Sequence, residues 1–142
     1  MRILSIDPGE KHLGIALSDP TGTLANPLTV VQHTARLADA ALIVQLGMQH
    51  EVGLFLVGQA LDDDDRQTPQ SRRAGRLAEA IRSQTNLPVL LWDESGSTQA
   101  ARQASIALGV SSRKRRRQGH SHLDDVAATY ILQTYLDAHI AK

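Results

Sequence analysis

Cysteine is absent from the 142 residues, which excludes disulfides and any metal site built on thiolates. A metal would have to be held by carboxylates, histidines or backbone oxygens, a donor set that favours hard cations such as Mg²⁺ or Mn²⁺. Long apolar runs are missing too. No stretch approaches the roughly 20 residues of a membrane span, and the N-terminus lacks the apolar core of a secretory signal. A soluble, cytoplasmic protein with no membrane partner is expected. With no internal repeat and no long linker, residues 1–142 are expected to form a single domain, and the 42% hydrophobic content is enough for its core.

Net charge is also lacking: 15 Lys and Arg balance 15 Asp and Glu, which alone argues against a general polyanion binder. The charges are nevertheless segregated. Arg113, Lys114, Arg115, Arg116 and Arg117 form one basic block, Arg72, Arg73 and Arg76 another, and Asp62 to Asp65 an acidic run. This pattern predicts a basic face beside an acidic centre.

What is present is a regular alternation of elements. Residues 2–7 and 13–18 read as two strands joined by a tight turn, in which Gly9 is free to take a positive φ. A weaker third strand is expected near Leu28 to Val31. Leu37, Ala41, Val44 and Met48 recur at helical spacing between Ala35 and His50. Gly53 to Gly58 is a continuous apolar run suited to a strand buried on both faces. A helix over about Pro69 to Gln84 and a strand over Pro88 to Trp92 follow. A helix over Thr98 to Leu108, a basic loop from Gly109 to Gly119 and a last helix over His122 to Ala138 complete the chain. Meandering strands followed by alternating helices and strands predict an α/β fold of the ribonuclease H-like type. Its mixed five-stranded sheet would carry helices on both faces.

In that arrangement three acids stand out on otherwise apolar elements. Asp7 ends the first strand, Glu94 follows the Val89 to Trp92 strand, and Asp124 opens the last helix on the stripe of Ala128, Ile131 and Tyr135. Asp125 is turned about 100° away. Carboxylates gathered at one place repel one another unless a divalent ion neutralises them. One or two Mg²⁺ or Mn²⁺ ions held by Asp7, Glu94 and Asp124 would suit phosphodiester hydrolysis. Each acid also has a plainer reading. Asp7 could accept hydrogen bonds from turn amides beside Gly9, Glu94 could be a surface or helix-start acid, and Asp124 with Ser121 fits a capping box. Asp62 to Asp65 reads as a solvated loop, and His120 and His122 as exposed residues at a helix start. Arg113 to Arg117, together with Arg72 and Arg73, are the candidates for phosphate contact.

The sequence resembles the YqgF/RuvX family, ribonuclease H-like proteins described as pre-16S rRNA nucleases and Holliday junction resolvase-like proteins. The resemblance spans nearly the whole chain. It rests on Ile6-Asp7-Pro8-Gly9 with Leu13 to Asp19, on Leu56-Val57-Gly58, on Asp93-Glu94, and on Asp124-Asp125-Val126-Ala127-Ala128 running on to Asp137. It implies that Asp7, Glu94 and Asp124 are the acids of the site. It also implies a metal-dependent nuclease acting on structured nucleic acid, with the 5′ end of pre-16S rRNA as first expectation and a four-way DNA junction as the alternative. A homodimer would suit the latter. Two stretches depart from the family: Ser95-Gly96-Ser97 stands where members follow the Asp-Glu pair with arginine, and Gln59-Ala60-Leu61 with four aspartates replaces an asparagine-rich loop. A nucleic-acid-binding module without catalysis is the rival of another class. An actin-like ATPase would need two related domains, for which the chain is too short.

Overall fold

The structure, a computed structural model, describes residues 1–61, 64, 66–93 and 123–140. Its strands are β1 (Arg2–Pro8), β2 (His12–Ser18), β3 (Ala25–Gln32), β4 (Val52–Gln59) and β5 (Val89–Asp93). The helices among the described residues are α1 (Arg36–Gln49), α2 (Pro69–Arg82) and α3 (Leu123–Ile140). The five strands form one sheet in the order β3-β2-β1-β4-β5. β1 pairs antiparallel with β2 and parallel with β4, and β4 pairs parallel with β5. The carboxyl ends of β1, β4 and β5 therefore share one edge.

Side-chain alternation divides the core in two. Leu4 and Ile6 of β1, with Leu13, Ile15, Phe55 and Val57, pack against α1 and α2. Ile3, Ala16, Leu54 and Leu56 face the other way, onto Ala128, Ile131, Leu132, Tyr135 and Leu136 of α3. β4 is buried from Leu54 to Gly58, as expected for a strand covered on both sides. The entry to α2 is fixed by a capping box in which the Thr68 hydroxyl accepts from the Ser71 amide at 3.0 Å and the Thr68 amide donates to Ser71 Oγ at 2.7 Å.

Three local expectations need correction. The third strand runs over Ala25–Gln32 and so includes Asn26 and Pro27, both poor strand formers. An edge strand tolerates them, and Leu28 is accommodated as the extra residue of a register shift, Ile15 pairing with Thr29 and Ala16 with Pro27. Gly9 has no positive φ; among described glycines only Gly22 does, at 72°. Three residues between Pro8 and His12 suffice to reverse the chain, and the Gly9 amide donates to the His12 carbonyl at 2.9 Å.

The third correction concerns the face of α1. Leu37 and Met48 are 65% and 73% exposed, while Asp39, Ala40, Ile43 and Gly47 are buried. Beside Gly47 the Phe55 ring already fills the space: a Cβ on Gly47 would lie 2.6 Å from Cε1 of that ring. Gly47→Ala should therefore destabilise the fold. An exposed helix site would gain about 1 kcal/mol from this change, but overpacking against a fully buried aromatic costs about 1–3 kcal/mol. A lowered melting temperature by circular dichroism is the expected result; a raised one would show that the ring can yield.

Candidate active site

Asp7 is half-buried near the carboxyl end of β1, in register with Gly14 of β2. It shares its face of the strand with Ile3 and Ser5, the face covered by α3. The adjacent Gly9 amide is bonded to the His12 carbonyl.

The placement of α3 follows from a few polar contacts. Ser5, fully buried, donates from Oγ to the Ala128 carbonyl at 2.8 Å. The Ala25 amide donates to Gln133 Oε1 at 2.9 Å, and Ala25 lies opposite Ser18. Ser18 in turn accepts from the Ile3 amide at 2.8 Å, near the beginning of β1. The helix thus runs antiparallel to β1, with residue 133 near the strand's start and residue 128 beside its middle. Residue 124, one turn earlier, is about 6 Å further along the axis. Asp7, two residues beyond Ser5, is about 6.6 Å further along the strand in the same direction. α3 also approaches β4 closely, since a Cβ on Gly58 would lie 2.6 Å from Cδ1 of Ile131. Trp92 of β5 locks the far side, its indole N–H donating to Thr134 Oγ1 at 3.1 Å and its ring meeting Tyr135 edge-on at 5.2 Å.

Of the three predicted acids, then, Asp7 lies at the shared edge of the sheet and Asp124 is in the first turn of α3. Glu94 and the side chain of Asp124 lie outside the described residues. Glu94 directly follows Asp93, the last residue of β5, which pairs with Gln59. Among the described residues no three His, Asp or Glu side chains form a group that could hold a metal ion. A carboxylate such as Asp7 is the kind of oxygen donor that hard cations take.

The basic residues divide differently. Arg113, Lys114, Arg115, Arg116 and Arg117 lie outside the described residues. Arg72 and Arg73 do not share the face of Asp7: they rise from α2 on the opposite side of the sheet, where with Arg36 and Arg76 they line a cavity of about 400 Å³. Arg36 was not singled out in the sequence. It starts a helix far from the α2 arginines along the chain, and no local pattern signals that they converge. Of the Asp62 to Asp65 run, Asp64 is described; it is exposed and pairs with Arg66 at 2.8 Å.

Asp19, which belongs to the matching Leu13 to Asp19 stretch, stands at the opposite end of the sheet from Asp7. Its carboxyl is held well below the usual range by the Leu24 amide, then by the Thr21 hydroxyl and the Thr23 amide. It organises the β2–β3 turn. Because its folded pKa is depressed, its stabilising effect is present above the unfolded value near 3.9 and is lost as pH falls below it.

The family model described as "RuvX: Holliday junction resolvase" matches residues 1–138. A Thermoanaerobacter pseudethanolicus protein named "Putative pre-16S rRNA nuclease" is 34% identical over 138 residues, 97% of each chain. A Myxococcus xanthus protein of the same name is 35% identical over 139 residues, 98% of this chain and 89% of that one. Among solved structures, Thermus thermophilus RuvC in complex with a Holliday junction substrate superposes with a TM-score of 0.63 at 22% identity, over 100% of this chain and 97% of that one. The fowlpox virus Holliday junction resolvase gives 0.58 at 17% identity, over 97% and 99%. At these identities the structural likeness bears on the fold, which is ribonuclease H-like as in the RuvC-type resolvases.

Proposed function

The chain belongs to the RuvX family, and from that premise we propose that it is a metal-dependent nuclease whose site is formed by Asp7, Glu94 and Asp124. One observation carries the assignment of the site. The Ser5–Ala128 hydrogen bond and the antiparallel course of α3 support it, since they direct the first turn of that helix toward the carboxyl end of β1, where Asp7 lies. Open α/β sheets bind and act at the carboxyl ends of their parallel strands.

Asp7, Glu94 and Asp124 would hold one or two Mg²⁺ or Mn²⁺ ions, which when bound polarise a phosphodiester and lower the pKa of water. The chain's own contribution is placement. Asp7 sits on a strand paired on both sides, and Asp124 belongs to a helix anchored to that same strand, so the backbone would hold two donors from distant parts of the sequence in place for the metal. The basic block Arg113 to Arg117 is assigned to phosphate contact around the site.

The relatives named for pre-16S rRNA make maturation of the 5′ end of 16S ribosomal RNA, a cytoplasmic process, the leading reading. Resolution of four-way DNA junctions is second, favoured by the family description and the RuvC-like fold. Incubating the protein with Mn²⁺ or Mg²⁺ and labelled precursor RNA, single-stranded DNA, duplex and four-way junction, then mapping the ends, tests both. Cleavage should require the metal and stop in EDTA. Undiminished cleavage in EDTA would remove the metal from the mechanism, and cleavage of the junction alone would select the second reading.

A further inference from the structure

We propose that the cavity between α1 and α2 is a second phosphate-binding site, on the face of the sheet opposite Asp7, which holds a phosphate group away from the bond being cut. Three separate elements build it. The end of β1 and the turn after it supply Pro8 and Gly9, α1 supplies Arg36, and the first turns of α2 supply Arg72, Arg73 and Arg76.

Four guanidinium groups around about 400 Å³ repel one another, and carboxylates do little to offset this. Arg73 lies 3.7 Å from Glu10. Among the described residues, Arg36, Arg72 and Arg76 form no ion pair. The one carboxylate in the wall, Asp39, is 3% exposed and already occupied: it is bonded to His33 Nδ1 and accepts from the Thr34 amide at 3.1 Å and the Thr34 hydroxyl at 3.3 Å.

Two helix beginnings add to the field. Ala35, the N-cap of α1, has no side chain to satisfy the first amides, and Pro69 opens α2; both residues line the cavity. A solvated arginine face would spread its charges over one helix. Here residues from two helices converge on one recess, and the planar fork of arginine suits phosphate oxygens.

The proposal rests on the nucleic-acid reading only for the source of the phosphate, which is either a strand's backbone or a free nucleotide. The test measures binding in EDTA, where no cleavage is expected, using labelled single-stranded RNA over a range of salt concentrations and, separately, AMP by calorimetry. The double variant Arg36→Gln/Arg76→Gln should bind RNA about tenfold more weakly. Its salt slope should fall by about 1.4, the counterion release of two single-strand contacts. Arg2→Gln, at the far end of β1, controls for net charge and should change little.

If RNA binding is unchanged but AMP binding by the wild type is lost in the variant, the site stands and its ligand is a free nucleotide. If both are unchanged, the proposal is overturned. A protein that cleaves nothing yet shows the Arg36- and Arg76-dependent slope would lose the nuclease reading and keep this site. One that cleaves with an unaltered slope and no loss of AMP binding would do the reverse.

Discussion

Asp7→Asn should abolish cleavage, with a fall of at least about three orders of magnitude, while the protein stays folded. Asn has nearly the same shape and can still accept a hydrogen bond, so it would satisfy a turn as Asp does. It cannot supply the negative charge that a divalent ion needs, and each factor of ten in rate corresponds to about 1.4 kcal/mol of lost transition-state stabilisation. Several kcal/mol is a reasonable share for one ligand of a metal site. Single-turnover cleavage of the best substrate, with the melting temperature measured without metal, separates the two roles. A variant with wild-type rate would reduce Asp7 to a structural residue and leave the proposed site without its strand component.

Asp124→Asn should give a loss of similar size, and its control is built into the sequence. Asn caps a helix about as well as Asp, so a pure capping role for Asp124 predicts little change in either stability or rate. A ligand role predicts loss of turnover with a metal-free melting temperature that holds or rises, since fewer carboxylates then repel one another. Asp125→Asn changes the same charge one residue along, off the stripe of Ala128, Ile131 and Tyr135 that is buried against the sheet. Its rate should fall much less. A dead Asp125→Asn beside an active Asp124→Asn would move the third ligand by one residue and rotate the helix in the mechanism.

Much of this arrangement was legible in the chain because the signals were local. The apolar run from Leu54 to Val57 reads as a strand covered on both faces, and it is buried throughout. The stripe of Ala128, Ile131 and Tyr135 reads as the inner face of the last helix, and all three belong to the buried cluster that includes Ile3, Ala16 and Leu56. Features that depend on a distant partner were not legible. Hydrophobic spacing favours Leu37 and Met48 as part of the inner face of α1, whereas the buried face is Asp39, Ala40, Ile43 and Gly47, the last set against the Phe55 ring. In the same way, Arg72 and Arg73 read as a basic patch of one helix, and Arg36 becomes their neighbour only once α1 and α2 pack side by side. Glu94 remains a reading from the sequence and the family.

The Ser5 hydroxyl has a further consequence for how the chain can vary. It ties the middle of β1 to one particular turn of α3, and a shift of that helix by a single turn, about 5.4 Å, would break this bond together with those from Gln133 and Thr134. The distance between the first acid and the last is therefore set by the docking of α3 on the sheet rather than by the length of chain that connects β5 to it. Insertions or deletions between Glu94 and Asp124 could reshape what the protein grips without moving the groups proposed to cut.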